Sequence, residues 1–289
     1  MSEFIQLLVA GLMVGSIYSL IGIGFTTIYN VTGIVNFAQG DFAMVGALSA
    51  IMLYASGLPL WVAIVFAILL VGCLAAIIER VAIRPIGTHV TRGIVATIGV
   101  GVALQGAAVL IWGTDAQPMP AFSGEKPFNL RGITLLPQTL WIFGTTAGLM
   151  ILLCLFFQRT YPGKIMRACA INPFAAQLMG IRLGAMRTIS FFLSGMFGAI
   201  GGIIVAPIAL TQYDSGISLG IKGFVACIIG GFGNPIGAAV GGLLLGVLEA
   251  MSSGFISSGF KNAISFVMLL LFLSVRPGGL LGDLERVGR

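Results

Sequence analysis

Long apolar segments recur along this chain, and most of them match the thickness of a lipid bilayer. A transmembrane helix needs about 20 predominantly apolar residues. Two segments, 41–55 and 220–229, are too short to cross alone, which predicts half-helices or helices that continue through broken backbone. The predicted fold is an all-α, polytopic transmembrane helical bundle of eight or nine membrane segments, built as a single domain over residues 1–289. The apolar segments are 4–28, 41–55, 60–78, 93–112, 139–157, 188–210, 220–229, 236–251 and 263–275.

Composition excludes a soluble globular protein. Hydrophobic residues make up 58% of the chain and charged residues 8%, whereas soluble domains carry about 25% charged residues. The net charge of +6 does not indicate a nucleic-acid-binding protein, because the cations lie in the segments between apolar runs. The expected surroundings are a lipid bilayer, and no nucleic acid is expected as a partner.

Loop charges predict the orientation of the chain. Residues 79–92 contain three Arg and one Glu, and residues 159–187 contain five cations and no acidic residue. Residues 114–138 have no net charge. Because cytoplasmic loops carry an excess of Lys and Arg, we expect both basic segments and the C-terminus in the cytoplasm and the N-terminus outside.

The basic segment 159–187 also predicts a short helix. Asn172 is a favourable N-cap, and Pro173 suits the first helical position, where a missing N–H costs nothing. Gly180 is a natural residue to end the helix. We interpret 159–187 as a coupling loop whose helix docks on a cytoplasmic partner. The candidate coupling residues are Arg167, Asn172, Pro173, Phe174, Ala175, Ala176, Leu178 and Gly180.

Polar or helix-breaking residues interrupt the apolar sequence at 29–41 and at 230–246. Irregular backbone at membrane depth is tolerated only where it is buried in protein or lines a water-filled cavity. Paired interruptions mark the translocation path in many transporters. The first segment also fits an ordinary cytoplasmic loop. The candidate residues of a substrate path are Tyr18, Asn36, Gln39, Asp41, Gln105 and Asn234.

The second interruption carries a regular glycine pattern. Gly233, Gly237 and Gly241 recur every four residues. Small residues at this spacing let helices pack closely in membranes. We therefore favour helix packing over path lining for these three glycines.

Two acidic residues, Asp41 and Glu249, lie in or beside apolar segments. An intramembrane carboxylate is a functional candidate because its desolvation is costly. Glu249, however, lies near the end of its segment, where snorkelling or helix packing would also satisfy it. Tyr18 and Gln105 likewise fit interhelical hydrogen bonds as well as a path.

Patterns for catalysis are absent from the sequence. The P-loop pattern G-x-x-x-x-G-K-[ST] does not occur, because Gly163 and Lys164 are followed by Ile165. His89 is the single histidine, which rules out a multi-histidine metal site. We predict no catalytic residues, no metal and no cofactor, and hence a transmembrane pathway and not an enzyme.

Four motifs match one family of transport proteins, in the same order and with matching spacing. They are NFAQGDFAMVGA at 36–47, RACAINPFAAQLMGI at 167–181, KGFVACIIGGFGNPIGAAVGGLLLGVLEAMSS at 222–253 and PGGLLG at 277–282. Along nearly its whole length the chain resembles the LivH-type permease subunits of ABC importers for branched-chain amino acids. One motif alone would be a weak signal, whereas four in order are specific.

The resemblance implies a subunit that works within a larger assembly. Such a permease pairs with a second, LivM-like permease, binds two cytoplasmic ATPase subunits and receives substrate from an extracytoplasmic binding protein. The implied location is the bacterial plasma (inner) membrane. The implied cargo is a branched-chain or related hydrophobic amino acid.

The resemblance also implies that the short helix is the coupling helix, similar to the E-A-A-x-x-x-G element of ABC importers. Ala175, Ala176 and Gly180 keep the spacing of this element, but Phe174 stands where the Glu would be. We therefore expect an apolar contact with the ATPase at this position, with flanking arginines as a polar rim.

Two other classes of protein remain open from the sequence. The first is an ion-coupled secondary transporter of small amino-acid-like solutes, with Asp41 or Glu249 as the coupling carboxylate. The second is a structural membrane scaffold, which would not need a cytoplasmic helix with well-placed ends. A secondary carrier would transport alone in liposomes under an ion gradient, whereas an importer permease would be inert without its ATPases.

Overall fold

The computed structural model describes residues 2–87, 89–124, 126–130, 133–255 and 257–282. These residues form a helical bundle with one small two-stranded hairpin, which confirms the predicted all-α class in outline. The elements are α1 (Ser2–Thr32), α2 (Gln39–Ala55), α3 (Leu60–Ile78), α4 (Val90–Trp112), β1 (Phe128–Leu130), β2 (Ile133–Leu135), α5 (Pro137–Arg159), α6 (Tyr161–Ile171), α7 (Pro173–Leu178), α8 (Leu183–Val205), α9 (Ser215–Gly230), α10 (Pro235–Phe255) and α11 (Lys261–Val275).

Within the described part of the chain, six helices are long and apolar enough to cross a membrane: α1, α3, α4, α5, α8 and α10. The predicted segment 188–210 is displaced, because α8 begins at Leu183 and ends at Val205. Pro207 follows two residues later, and helices usually end at or before the residue that precedes a proline. The two segments predicted to be short are short helices, α2 and α9, of 17 and 16 residues.

The first predicted interruption folds back into the bundle. After α1 ends at Thr32, residues 33–38 return along the helix, and the Gln39 side chain lies against Gly24. Gly24 is eight residues before the end of α1, or about 12 Å along its axis. The half-helix α2 therefore begins inside the bundle, and its residues 39–51 are buried.

The second interruption lies elsewhere than predicted. Within 230–246, the backbone makes only a tight turn at 231–234 before the regular helix α10 begins. The turn is possible because Gly231 and Gly233 adopt positive φ angles of 105° and 90°. The irregular backbone lies instead at 206–214, before α9, and its nearest sequence signal was Pro207.

The N-termini of the two half-helices meet at Gly40 and Gly216. A Cβ atom added to Gly40 would collide with the carbonyl oxygen of Gly216, and one added to Gly216 would lie 2.9 Å from the carbonyl oxygen of Gly40. The two backbones are in direct contact, so neither position has room for a side chain.

The arrangement α1–α4 recurs in inverted form as α8–α11. In each set a long helix is followed by a re-entrant half-helix, a turn and two further helices. The turns after the half-helices correspond, because Gly57 and Gly233 have φ angles of 95° and 90° and each precedes a proline by two residues. The packing corresponds as well, since α1 packs on α10 as α8 packs on α3. Inverted repeats of this kind are common in membrane transporters.

Glycines bring α10 close to two neighbouring helices. Gly237 and Gly241 contact the backbone of α9, while Gly242 and Gly246 contact the backbone of α1 at Ser19, Gly15 and Gly11. Gly237 and Gly241 therefore pack closely against α9, which is the role expected of them. The assignment of Gly233 to the same stripe is wrong, because this residue lies in the turn before α10.

One end of the bundle collects the basic residues. We call it the basic end, namely the end where α1, α3 and α5 finish, together with α6, α7 and residues 276–282. Contacts across the connecting segments hold it together: Arg84 donates to the carbonyl oxygen of Gly184, and Leu280 N–H donates to Ile229 O. Glu79 is the acidic residue found here among the described residues. The cations are Arg80, Arg84, Arg92, Arg159, Lys164, Arg167, Arg182, Arg187 and Arg276.

Candidate functional site

The short helix α7 has the predicted ends. The Asn172 side-chain oxygen accepts a hydrogen bond from the Ala175 N–H at 3.0 Å, and Pro173 is the first helical residue. Gly180, at a φ of +82°, donates to Gln177 O at 2.9 Å, and Ile181 donates to Ala176 O at 3.1 Å. These two bonds form a Schellman motif. The start and the end predicted from sequence are both confirmed.

The face of α7 that points away from the protein is apolar. Phe174, Leu178 and Met179 are 69%, 74% and 83% exposed. Ala176, another candidate coupling residue, is 5% exposed and faces the protein. It therefore anchors α7 to the bundle and is not available for contact with a partner. An exposed apolar face at a basic end is the surface expected of a helix that docks on a partner.

A second helix, α6, supports α7 and was not predicted from the sequence. Its side chains Met166 and Cys169 are buried, and Gly163 packs on the last turns of α5. Thr160 caps it by accepting a hydrogen bond from Gly163 N–H at 3.2 Å. Burial raises the pKa of the Cys169 thiol, which keeps it protonated. Arg167, on the same helix, is exposed.

The re-entrant segment before α2 is held by polar contacts. Gln39 is fully buried; its amide donates to Ser194 O at 3.1 Å and accepts from the Ser194 hydroxyl at 2.6 Å. Asn36 is also buried, and its oxygen accepts from Ala38 N–H at 3.3 Å, while its amide nitrogen has no partner among the described residues. Gln39 thus ties α2 to α8, and Asn36 retains an unused donor.

Asp41 and Gln105 lie together, as two of the path candidates. The Gln105 amide on α4 donates to the Asp41 carboxylate at 2.9 Å. Asp41 lies in the first turn of α2 and next to Gly216, in the first turn of α9. The partial positive charges of two helix N-termini therefore surround this carboxylate.

A separate buried cluster surrounds Glu249 near the C-terminal end of α10. Its carboxylate accepts hydrogen bonds from the Tyr18 hydroxyl at 3.0 and 3.1 Å and the Ser265 hydroxyl at 3.4 Å. It also pairs with Lys222 Nζ at 2.8 Å and Lys261 Nζ at 3.2 Å. Glu249 is therefore satisfied by helix packing and does not snorkel. Neither lysine was among the candidates predicted from the sequence, although Lys222 is an intramembrane cation 27 residues before Glu249.

Two path candidates fall outside the group at the half-helices. Tyr18 belongs to the Glu249 cluster. Asn234 lies at the basic end, where its oxygen accepts from Ile236 N–H and Gly237 N–H at 3.0 and 3.2 Å, and its amide donates to Leu281 O at 3.0 Å. These bonds cap α10 and fasten the C-terminal segment. Only Asn36, Gln39, Asp41 and Gln105 lie at or beside the re-entrant segment.

Together, the six apolar helices and the paired re-entrant half-helices define a polytopic membrane protein of the transporter class. Residues 7–273 match the family described as the permease component of the branched-chain amino acid transport system. The chain belongs to this family, which makes it a transport subunit and not an enzyme. This confirms the resemblance seen in its motifs.

Individual relatives agree along almost the whole chain. The permease LivH of the high-affinity branched-chain amino acid transport system of Salmonella typhimurium is 32% identical, over 98% of both chains. The corresponding BraD of Pseudomonas aeruginosa is 33% identical, over 99% of this chain and 98% of that protein. The ribose import permease RbsC of Haemophilus influenzae is 23% identical, over 89% of this chain and 80% of its own length.

A solved structure shares the fold. PsaBC from Streptococcus pneumoniae, solved in complex with a Fab, superposes with a TM-score of 0.53 and covers 93% of this chain and 91% of its own. The sequence identity is 11%, so the likeness concerns the fold alone.

Proposed function

We propose that residues 1–289 form a single permease domain of an ABC importer for branched-chain or related hydrophobic amino acids. The observation that carries the substrate class is the identity of 31–33% to LivH and BraD over nearly the whole chain. In this proposal a second, LivM-like permease completes the path. An extracytoplasmic binding protein delivers the substrate, and two ATPase subunits bind on the cytoplasmic side. The assembly resides in a bacterial inner membrane.

The orientation follows from the charges. Nine Arg and Lys residues lie at the basic end, and cytoplasmic ends of membrane proteins carry such an excess. Accordingly, the basic end, α7 and the C-terminal tail face the cytoplasm, and the N-terminus lies outside. With α2, α9 and α11 added to the six long helices, the bundle has nine membrane segments, of which α2 and α9 are half-helices.

The docking surface for the ATPase is the exposed face of α7. Phe174, Leu178 and Met179 would fill an apolar groove, since no acidic side chain takes part. The capped ends hold α7 rigid, and Ala176 seats it on the protein. The helices α6, α7 and α8 pack against one another. Movement of the ATPases would thus be transmitted from α7 to α6 and α8 together.

The substrate path lies beside the start of α9. Ile217 and Ile221 occupy one exposed face of this half-helix, 49% and 37% exposed, and Phe37 lies nearby against Phe224. These apolar groups suit the side chains of Leu, Ile and Val. Gln105 lies on the neighbouring helix α4, where its amide would meet the charged ends of the substrate in passing.

Reconstitution tests the proposal. The chain is purified with its second permease and ATPase subunits, placed in liposomes containing ATP, and supplied with binding protein and radiolabelled leucine. We expect uptake that requires ATP and every subunit. The same chain alone, under a proton or Na⁺ gradient, should be inert. Uptake by the chain alone would instead establish an ion-coupled carrier.

A further inference from the structure

The basic end contains a cavity that neither the proposed path nor the coupling helix uses. It has a volume of about 370 Å³ and lies where the end of α1, the last turns of α5, the end of α6 and the start of α10 meet. This volume is within the range of small-molecule sites, roughly 300–1,000 Å³.

Asn234 lines the cavity with a side chain already engaged in capping α10, and three further polar side chains line it: Asn30 on α1, Gln158 on α5 and Arg167 on α6. None of these three makes a side-chain hydrogen bond or an ion pair with another described residue. Arg167 therefore brings a positive charge that no acidic side chain of the described residues pairs with, and the two amides bring further donors. Planar guanidinium groups bind phosphate oxygens well, often through two parallel hydrogen bonds.

An apolar part of the wall belongs to the long apolar helices α5 and α10. Leu153 and Phe157 lie in the last two turns of α5, and Ile236 lies in the first turn of α10 and is 45% exposed. The cavity thus extends from membrane depth to the polar surface over about two helical turns, or roughly 11 Å. Its chemistry changes over this distance from apolar to cationic.

We propose that this cavity binds the headgroup of an anionic phospholipid, with the phosphate on Arg167 and the start of an acyl chain against Leu153, Phe157 and Ile236. Basic pockets between transmembrane helices at the membrane surface bind acidic headgroups in this manner. Placing the lipid in the cytoplasmic leaflet rests on the proposed function, while the binding itself requires only that α5 and α10 span the membrane. The lipid would contact both α6 and α10. It would thereby connect α6, which supports the coupling helix α7, to the rest of the bundle.

Lipid retention tests the site. The purified chain is exchanged into detergent, titrated with phosphatidylglycerol or phosphatidylcholine, and measured by native mass spectrometry. We expect phosphatidylglycerol to remain bound at concentrations that leave phosphatidylcholine unbound. Arg167→Gln should weaken retention by about ten-fold, because a hydrogen bond to a charged group is lost. Ala170→Phe should weaken it as well, since Ala170 lines the cavity and the larger side chain would fill it.

Arg182→Gln is the matched control, because Arg182 is an exposed arginine at the same end that does not line the cavity. Its retention should equal that of the parent chain. Equal retention of the two lipids, or an equal effect of Arg167→Gln and Arg182→Gln, would overturn the proposal. Unchanged lipid retention with loss of ATPase binding in Arg167→Gln would also overturn it and assign Arg167 to the ATPase interface. Failure of the importer proposal would appear separately, as uptake that needs no ATPase.

Discussion

Removing the charge of Glu249 provides the sharpest test of the bonding inside the bundle. The carboxylate is 1% exposed and holds Lys222 at 2.8 Å, while the Lys222 side chain is itself only 12% exposed. Glu249→Gln leaves this ammonium group buried without an anion. Breaking a buried pair in this way costs about 3–5 kcal/mol.

The two lysines should respond differently. Lys222→Met leaves Glu249 with Lys261, Tyr18 and Ser265, so we expect a smaller loss, about 1–3 kcal/mol. The Lys261 side chain is 47% exposed, and solvent screens its interaction. Lys261→Met should therefore cost about 0–1 kcal/mol.

The assay is the free energy of unfolding of the purified chain in mixed micelles, measured by titration with a denaturing detergent. The double variant Lys222→Met/Glu249→Gln removes both charges and should be clearly more stable than the sum of the single losses predicts. Residues in one buried network couple by about 0.5–3 kcal/mol. Additive losses within about 0.3 kcal/mol would show that the pair is not formed in the membrane protein, because independent sites add within that range.

Four further substitutions, one of them with a matched control, test the end and the exposed face of α7 and the half-helices. Gly180→Val forces a β-branched residue into a φ of +82°, at a cost of about 1–2 kcal/mol. It should uncouple ATP hydrolysis from uptake in proteoliposomes, while the protein still inserts into the membrane. Normal coupling would refute the docking role of α7. Phe174→Glu should prevent co-purification with the ATPase, and retained binding would exclude an apolar groove. Gly40→Ala should destabilise the bundle by about 1–3 kcal/mol in the same unfolding assay. The control Gly106→Ala should have no such effect, because open space surrounds Gly106. Equal effects of the two variants would contradict the contact between the half-helices. Asn36→Leu should lower uptake while the complex still forms, and unchanged uptake would exclude Asn36 from the path.

Local sequence signals predicted the helices and the ends of α7 because their causes are local. Segment 60–78 coincides with α3, and Asn172, Pro173 and Gly180 act within one or two turns. The helix α6 escaped prediction because its buried face is narrow, with only Gly163, Met166 and Cys169 among basic and small residues. Hydropathy averaged over a window does not detect such a face.

Tertiary partners could not be predicted from spacing. Tyr18 and Glu249 are 231 residues apart, and Gln39 and Ser194 are 155 apart, so only the fold brings them together. The predicted position of the second interruption is wrong because glycines occur both in turns and at close helix contacts, and spacing does not distinguish the two from irregular backbone. In 230–246 the glycines provide a turn and close packing, whereas the break at 206–214 carries a single proline. The correspondence of Gly57 with Gly233, each two residues before a proline, was the available signal of the inverted repeat.

The inverted repeat assigns different mechanical roles to the centre and the ends of the bundle. At the centre, the backbones of Gly40 and Gly216 are in direct contact. If α2 slid past α9, this contact would be lost, and glycine has no side chain to fill the gap. At the ends, buried carboxylates connect equivalent helix pairs. Glu79 accepts from Arg84 at 3.1 Å and from Thr188 on α8 at 2.7 Å, and Glu249 joins α10 to α1 at the opposite end. We therefore expect motions that open one end of the bundle to break the bonds of the carboxylate at that end and to leave the contact between Gly40 and Gly216 intact.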